Sequence, residues 1–149
     1  MNIKEVLAPP NVLSDFAAPN KTSLLQGLAQ RAADASKLPA EVILSALLKR
    51  EELGSTGTGG GIGVPHARIP GIKKPFGILV RLRQPIDFDA IDGRPVDLIF
   101  LLLLPVESNK EHLNALASAA RILRNPDAVR DLRRARDDGD LFRAMASLA

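Results

Sequence analysis

The chain has 149 residues, with 20 Lys and Arg against 17 Asp and Glu, so its formal net charge at pH 7 is +3. It has no Cys and only two His, which excludes a disulfide framework, a thiol nucleophile and a thiolate metal site. It also has no Trp or Tyr, so single-strand nucleic-acid modules would lack their main aromatic platform.

Two helices are predicted in the first third of the chain. Apolar residues at helical spacing predict a helix over residues 21–36, with Asn20 as its N-cap. Pro39 fits the first position of a second helix, which is expected to stop near Leu53 because a glycine follows. Arg50 then lies in its last turn. The apolar stripe of this helix is predicted to consist of Val42, Ile43, Ala46 and Leu47.

Strand patterns fill the middle of the chain. Residues 54–63 are glycine-rich and predict a loop with one or two short extended pieces. Ile62 and Val64 alternate like a short strand. Residues 76–83 alternate with period two, which is typical of a half-buried strand. Residues 96–104 are apolar with one interruption and predict a central strand covered on both faces.

The C-terminal third predicts three helices. Ser108 and Glu111 fit a capping box that opens the first of them. Asn125 and Pro126 begin a shorter helix, and apolar residues over 141–148 indicate a final one. The apolar stripe of the first helix is predicted to consist of Leu113, Leu116, Ala117, Ala120 and Leu123.

These elements favour an α/β (α+β) class, with a small mixed β-sheet flanked by helices in a single domain over residues 1–149. The N-terminus lacks the layout of a signal peptide, and no apolar run approaches the ~20 residues that span a bilayer. Acidic residues are interleaved with the basic ones, including the basic stretch 130–136, which is read as a solvated helix face. We therefore expect a cytoplasmic protein with no nucleic-acid partner and no membrane insertion.

Potential chemistry concentrates in the glycine-rich segment 54–68. The segment has no Lys, so it is not a P-loop, and it lacks the strand before and helix after that a dinucleotide fingerprint requires. Glycines and short hydroxyl residues still allow backbone amides to converge on an anion. His66 follows them, either as an ordinary surface histidine or as a nucleophile, since imidazole is neutral and nucleophilic near pH 7.

Three further residues are candidates for such a site. His112 lies one turn into a capped helix, as a boundary histidine or as a hydrogen-bond donor to phosphate. Arg50 ends its helix directly before the glycine-rich loop, as a favourable C-terminal cation or as a group that neutralises phosphate. Arg68 has the same two interpretations.

The segments 48–57 and 61–66 resemble the signature of enzyme IIA of the fructose/mannitol type from the bacterial phosphotransferase system. Segments 92–100 and 112–123 match it as well, and the similarity runs from about Ile3 to Leu148. Within the family, the chain is similar to the nitrogen-regulatory IIA branch, in which the domain is not fused to sugar-transport domains.

The resemblance implies a mannitol/fructose-type IIA fold and a phosphohistidine relay with no cofactor and no metal. His66 would accept a phosphoryl group from an HPr-like carrier, which enzyme I charges from phosphoenolpyruvate. Arg50 and His112 match positions that stabilise the phosphoryl group, and Ser55 and Thr56 match the stretch that lines the pocket. Apolar residues for docking partner proteins are expected, with some exposure, at Ile62, Val64, Ile69 and Ile72.

One departure from the family pattern is Gly60, which stands where relatives usually carry Asn or another polar residue. Three functions stay open: a phosphocarrier that regulates target proteins by its phosphorylation state, a sugar-transport IIA that passes phosphate to a separate IIB for fructose or mannitol, and an adaptor that is not phosphorylated. The lack of a fused IIB favours the first. A weak homodimer is left open.

Overall fold

The computed structural model describes residues 2–148, which build one mixed sheet of six strands with helices on both faces. The strands are β1 (Val12–Phe16), β2 (Gly57–Gly59), β3 (Ile62–Gly63), β4 (His66–Ile69), β5 (Phe76–Ile86) and β6 (Val96–Pro105). They are hydrogen-bonded in the order β1-β5-β6-β3-β2, and β4 also pairs with β6. The helices are α1 (Ile3–Val6), α2 (Lys21–Ser36), α3 (Ala40–Glu52), α4 (Lys110–Arg124), α5 (Pro126–Arg134) and α6 (Asp138–Ser147).

The sheet is mixed, as predicted, because β5 and β6 run antiparallel while β6 is parallel to both β3 and β4. Strand β6 is buried along its length except at Asp97. Its side chains alternate between two cores: Leu98, Phe100, Leu102 and Leu104 pack with α1 and α4–α6, and Ile99, Leu101 and Leu103 pack with α2 and α3. The prediction of a central strand covered on both faces is confirmed.

The two N-terminal helices were largely predictable. Helix α2 has the predicted bounds, and the Asn20 side chain accepts a hydrogen bond from the backbone N–H of Ser23 at 2.8 Å. Helix α3 begins one residue later than predicted, because Pro39 is its N-cap and not its first helical residue. The predicted stripe is partly wrong: Ile43 and Leu47 are buried, but Val42 is 40% exposed.

The start of α4 corrects the predicted capping box. The cap is Asn109, whose side chain accepts from the backbone N–H of His112 at 2.9 Å, and not Ser108 with Glu111. The Ser108 hydroxyl instead donates back to the carbonyl of Pro105. The buried face of α4 also differs from the predicted stripe and consists of Ala115, Ala119, Ile122 and Leu123. Leu113 is left 43% exposed, which matters for the candidate site below.

The other C-terminal elements agree with the sequence patterns. Asn125 caps α5 through its side chain, with Pro126 in the first helical position, and Asp137 caps α6. Strands β1 and β4 were not predicted. The ends of the predicted domain, residues 1 and 149, lie outside the described residues. Within residues 2–148, no helix has the length and apolar character needed to cross a membrane.

Candidate functional site

His66 is the first residue of β4 and is held beside the middle of β6. It pairs with Leu102, whose backbone N–H donates to the carbonyl of Pro65 at 2.9 Å. Two residues earlier, the backbone N–H of Val64 donates to the carbonyl of Thr56 at 3.0 Å. The backbone on both sides of the imidazole is therefore anchored, so the side chain projects from a rigid position.

Both ring nitrogens of His66 have hydrogen-bond partners. Nδ1 lies 2.8 Å from the carbonyl oxygen of Val64, and Nε2 accepts from Nε of Arg50 at 3.3 Å. A carbonyl oxygen can only accept, so Nδ1 must carry the proton. The neutral tautomer therefore keeps its lone pair on Nε2, which makes that nitrogen the nucleophilic one.

Burial lowers the pKa of His66 below its ordinary value of 6.5, and the charge of Arg50 lowers the pKa further. The hydrogen bond to Val64 and the Glu51 carboxylate act in the opposite direction without reversing the shift. The imidazole is consequently neutral at pH 7, the state in which Nε2 can attack an electrophile.

We predict that His66 titrates below pH 6.5 in the folded protein, because its pKa is lowered there. The unfolded chain then takes up the proton more readily, so the free energy of unfolding decreases as the pH falls from 6.5 towards the folded pKa. Proton NMR follows the two histidine rings directly, and the variant His112→Gln assigns them. A His66 midpoint at or above 6.5 would contradict this electrostatic account.

Arg50 lies in the last turn of α3 and reaches two groups. Its Nη1 donates to the carbonyl of Gly54 at 2.8 Å, while its Nε donates to His66. A cation at a helix C-terminus is favoured by the helix dipole, and the bond to Gly54 fixes the guanidinium over the imidazole. The structure thus brings together two of the residues that the sequence singled out.

A cavity of about 490 Å³ opens in front of His66. Three cations line it, namely Lys49, Arg50 and Arg68, and its rim includes Leu53 and Leu113, which are 86% and 43% exposed.

The predicted docking residues are wrong in part, because Ile62, Val64 and Ile69 are buried in the core and only Ile72 is half-buried. Within residues 2–148, no group of three His, Cys, Asp or Glu side chains could hold a metal ion.

Ser55 and Thr56 use their hydroxyl groups to hold the loop that follows α3. The Ser55 hydroxyl donates to the carbonyl of Phe88 at 2.8 Å and accepts from the backbone N–H of Gly57 at 3.0 Å. The Thr56 hydroxyl donates to the Glu51 carboxylate, which also accepts from the Thr56 backbone N–H at 3.0 Å. Neither residue lines the cavity around His66.

Glu51 was missed by sequence reasoning, although it neighbours Arg50. Its side chain is 7% exposed and forms an ion pair with Nζ of Lys21 at 2.9 Å. Lys21 in turn donates to the carbonyl of Phe88 at 3.1 Å and lies 4.4 Å from the centre of its ring. The pair ties α2, α3 and the loop together behind Arg50. An acidic residue in the last turn of a helix, where the dipole disfavours it, was the available signal.

We predict that Glu51→Gln destabilises the protein by about 3 kcal/mol, at the low end of the range for losing one partner of a buried ion pair because Lys21 keeps some solvent contact. The neighbouring variant Glu52→Gln is the control, since Glu52 is exposed and should change stability by no more than about 0.5 kcal/mol. Urea denaturation measures both. Equal unfolding free energies for the two variants would exclude a structural role for the pair.

His112 is half-buried at the third position of α4. Its Nδ1 accepts from the backbone N–H of Asn109 at 3.4 Å, so the neutral ring carries its proton on Nε2. His112 is not among the residues that line the cavity around His66, although Leu113 and Leu116 of the same helix are. The structure therefore brings its helix, but not its ring, to that cavity.

Gly60 lies at the turn between β2 and β3, with φ at +68°. Its backbone N–H donates to the Asp92 carboxylate at 3.0 Å, and it does not line the cavity around His66. Its departure from the family pattern thus affects a different part of the surface.

Residues 5–147 match the family model of the phosphoenolpyruvate-dependent sugar phosphotransferase system, EIIA 2. The chain belongs to this EIIA 2 family. It is 40% identical over 146 residues to the nitrogen regulatory protein of Bradyrhizobium diazoefficiens, covering 98% of this chain and 95% of the relative. The resemblance found in the sequence, including its nitrogen-regulatory branch, is confirmed.

Solved structures agree with the EIIA 2 assignment. The crystal structure of nitrogen regulatory protein IIA-Ntr from Neisseria meningitidis superposes with a TM-score of 0.90 at 32% identity, covering 96% of this chain and 98% of that one. IIA of the mannitol system from Escherichia coli, in its complex with phosphorylated IIB, gives a TM-score of 0.78 at 17% identity, covering 95% and 97% of the two chains. The predicted mannitol-type IIA fold is confirmed.

Proposed function

We propose that this EIIA 2 protein is a phosphocarrier in which Nε2 of His66 accepts a phosphoryl group from the phosphohistidine of an HPr-like protein. Enzyme I would charge that carrier from phosphoenolpyruvate. The observation that carries the proposal is the pair of hydrogen bonds at His66, which leaves the lone pair on the nitrogen that faces Arg50.

The transfer itself needs positioning and charge stabilisation more than covalent help from the protein. The Nε2 lone pair of His66 forms the new N–P bond as the bond from phosphorus to the carrier's ring nitrogen breaks, and that nitrogen keeps the electron pair. Positive charge builds on the His66 ring, where Nδ1–H already points at the carbonyl of Val64. The Arg50 guanidinium is released from Nε2 and can donate to a phosphoryl oxygen instead.

The carrier must bring its own histidine close to His66, which requires an open site with an apolar rim. Leu53 and Leu113 provide that rim, and Lys49 and Arg68 add positive charge around it. Large exposed apolar side chains beside a nucleophile are typical of a docking surface for another protein. We therefore propose that the carrier docks over these two leucines.

Phosphorylation adds about −1.5 to −2 charges at pH 7. On His66 this charge would face a cluster of three cations, namely Lys49, Arg50 and Arg68. The same surface would then present two electrostatic states to partner proteins. We propose that this difference in charge between the two states regulates target proteins in the cytoplasm, as the relatives' description as nitrogen regulatory proteins suggests. We also propose that residues 1–149 act as one domain.

Onward transfer to a separate IIB component, for fructose or mannitol uptake, is the second candidate. The same open cavity favours it, since a rim that admits one carrier also admits another. The mannitol IIA that shares this fold is described in a complex with phosphorylated IIB. Loss of the phosphoryl group to a purified IIB would support this alternative, and retention would favour regulation.

The proposal is tested by incubating the purified chain with phosphoenolpyruvate, enzyme I and an HPr-like carrier, followed by intact mass measurement. We expect one acid-labile phosphoryl group per chain, and none when enzyme I or the carrier is left out. A chain that acquires no phosphoryl group under these conditions would instead be an unphosphorylated adaptor.

We propose that the ring of His112, which does not line the cavity in this structure, turns towards the phosphoryl group on His66 and donates to it through Nε2–H. His112→Ala should then slow phosphoryl transfer about tenfold, because this hydrogen bond to a charged group would be lost. The variant also breaks the cap of α4, so His112→Gln is the matched control: Gln at this position can maintain a capping box. Transfer rates and melting curves are measured for both. If His112→Gln restores the rate together with the stability, His112 is only a capping residue.

A further inference from the structure

A second cavity, of about 950 Å³, shares no lining residue with the one around His66. The turn between β2 and β3 forms one wall, and α5 with the last turn of α4 forms another. Neither the phosphoryl transfer proposed above nor the docking rim uses it. It is nevertheless the place where the glycine run of the sequence meets the arginines of the C-terminal helices.

The cavity is strongly positive. Its lining includes five arginines, Arg94, Arg124, Arg130, Arg133 and Arg134, and a single acidic residue, Asp97. Arg133 is paired with Asp97 at 2.8 Å, and Arg130 with Asp127 at 3.2 Å. Within residues 2–148, the other three guanidinium groups have no carboxylate at ion-pair distance. Three exposed guanidinium groups without an ion-pair partner therefore lie around one concave surface, where each of them would attract a bound anion.

The glycine turn gives this cavity a rigid wall whose backbone is open at Gly60, while side chains lie against the glycines on either side of it. Gly59, Gly60 and Gly61 all have positive φ, and a Cβ at Gly60 would meet no atom within 4 Å. The turn does not move freely, because the Gly60 N–H donates to Asp92 and its carbonyl accepts from Arg133 at 2.8 Å. A ligand can therefore approach the backbone closely at a fixed position.

Both the charge and the size of the cavity define a ligand class. Guanidinium groups match phosphate oxygens in pairs, and three of them at one site can engage more than one phosphate. The volume lies within the range of about 300–1,000 Å³ that small-molecule sites occupy. Ile62, Leu123 and Val129 also line the cavity and offer an apolar surface to the organic part of a ligand.

We infer that this cavity binds a small organic molecule that carries two or more phosphate groups. A nucleic acid fits less well, because a continuous polyanion would extend past the cavity onto the carboxylates of Asp92 and Asp127, which bond to Gly60 and Arg130 but do not line the cavity. The inference is independent of the chemistry at His66. It gives a role to the glycine run, which does not line the His66 cavity.

Isothermal titration calorimetry with inorganic tripolyphosphate tests the inference on the whole chain. We expect saturable binding that Arg124→Ala/Arg134→Ala weakens at least tenfold, because both guanidinium groups line the cavity. Among residues 2–148 neither arginine has an ion-pair partner, so their replacement should not disturb folding. The control Lys73→Ala/Lys74→Ala removes the same charge from exposed positions between β4 and β5 and should bind like the wild type. His66→Ala should also bind normally, which separates this site from the phosphoryl-transfer site.

Amide NMR shifts on titration should be largest at Gly59–Gly61 and at the start of α5. Several results would overturn the inference: no saturable binding, equal weakening by both double variants, or loss of binding in His66→Ala. A single-stranded oligonucleotide that displaces tripolyphosphate at a lower phosphate concentration would also overturn it, in favour of a nucleic-acid surface.

Discussion

Replacing His66 by alanine is expected to abolish phosphoryl acceptance completely while leaving the fold intact. The expected loss is total because no other described side chain presents a nucleophilic nitrogen beside Arg50. The structural cost is small: the ring is half-buried, and its removal leaves the carbonyl of Val64 and Nε–H of Arg50 without this partner, at about 1 kcal/mol each. Intact mass spectrometry after incubation with the complete relay measures acceptance, and circular dichroism measures the fold.

His112→Gln is the matched control for this variant, since it removes the other histidine of the chain. It should still acquire a phosphoryl group, although more slowly. A His66→Ala protein that is folded and still acquires an acid-labile phosphoryl group would contradict the assignment of the nucleophile. Loss of phosphorylation in both variants would mean that neither variant alone identifies the accepting residue.

Arg50→Ala is expected to slow phosphoryl transfer by about 10²–10³-fold, the usual effect of removing one preorganised group that stabilises transition-state charge. Arg50 contacts Nε2 of His66 directly and is fixed by its bond to Gly54, so its charge is in place before the phosphoryl group arrives. The same charge lowers the pKa of His66, so His66 in the variant should titrate at a higher pH than in the wild type. Stopped-flow transfer assays and NMR titration measure the two effects.

Two comparison variants make this prediction specific. Arg50→Lys keeps the charge but not the planar fork, so it should restore part of the rate. Arg68→Ala removes a cation that lines the same cavity but is exposed, so we expect a decrease of less than about tenfold. If Arg68→Ala and Arg50→Ala slow the reaction equally, the contact between Arg50 and His66 has no special role.

The sequence predicted the long elements well because their patterns are local. Helix α2 and its Asn20 cap, and the buried strand β6, depend on spacings within a few residues. Strands β1 and β4 have five and four residues, too few for a clear period, and are defined by pairing with distant strands. The wrong face was predicted for α4 because the small residues Ala115 and Ala119 pack inward while Leu113 stays at the surface.

The same limit applies to the candidate site. His66 and Arg50 could be singled out from the residues around a glycine loop, but their contact spans 16 positions and required the fold. The ion pair between Glu51 and Lys21 joins two helices, α3 and α2, and no local pattern in the sequence predicts it. The cavity lined by arginines likewise combines residues from four separate parts of the chain, namely 59–62, Pro85, 94–97 and 123–134.

The identity of the phosphorylated atom tests the central claim most directly. Nδ1 of His66 is committed to the carbonyl of Val64, so phosphorus must bond to Nε2. Nitrogen and phosphorus NMR on the phosphorylated protein, with labelled histidine rings, distinguishes the two nitrogens by their coupling to phosphorus. We predict that phosphorus couples to Nε2 of His66. Phosphorus on Nδ1 of His66, on His112 or on any other side chain would contradict the account.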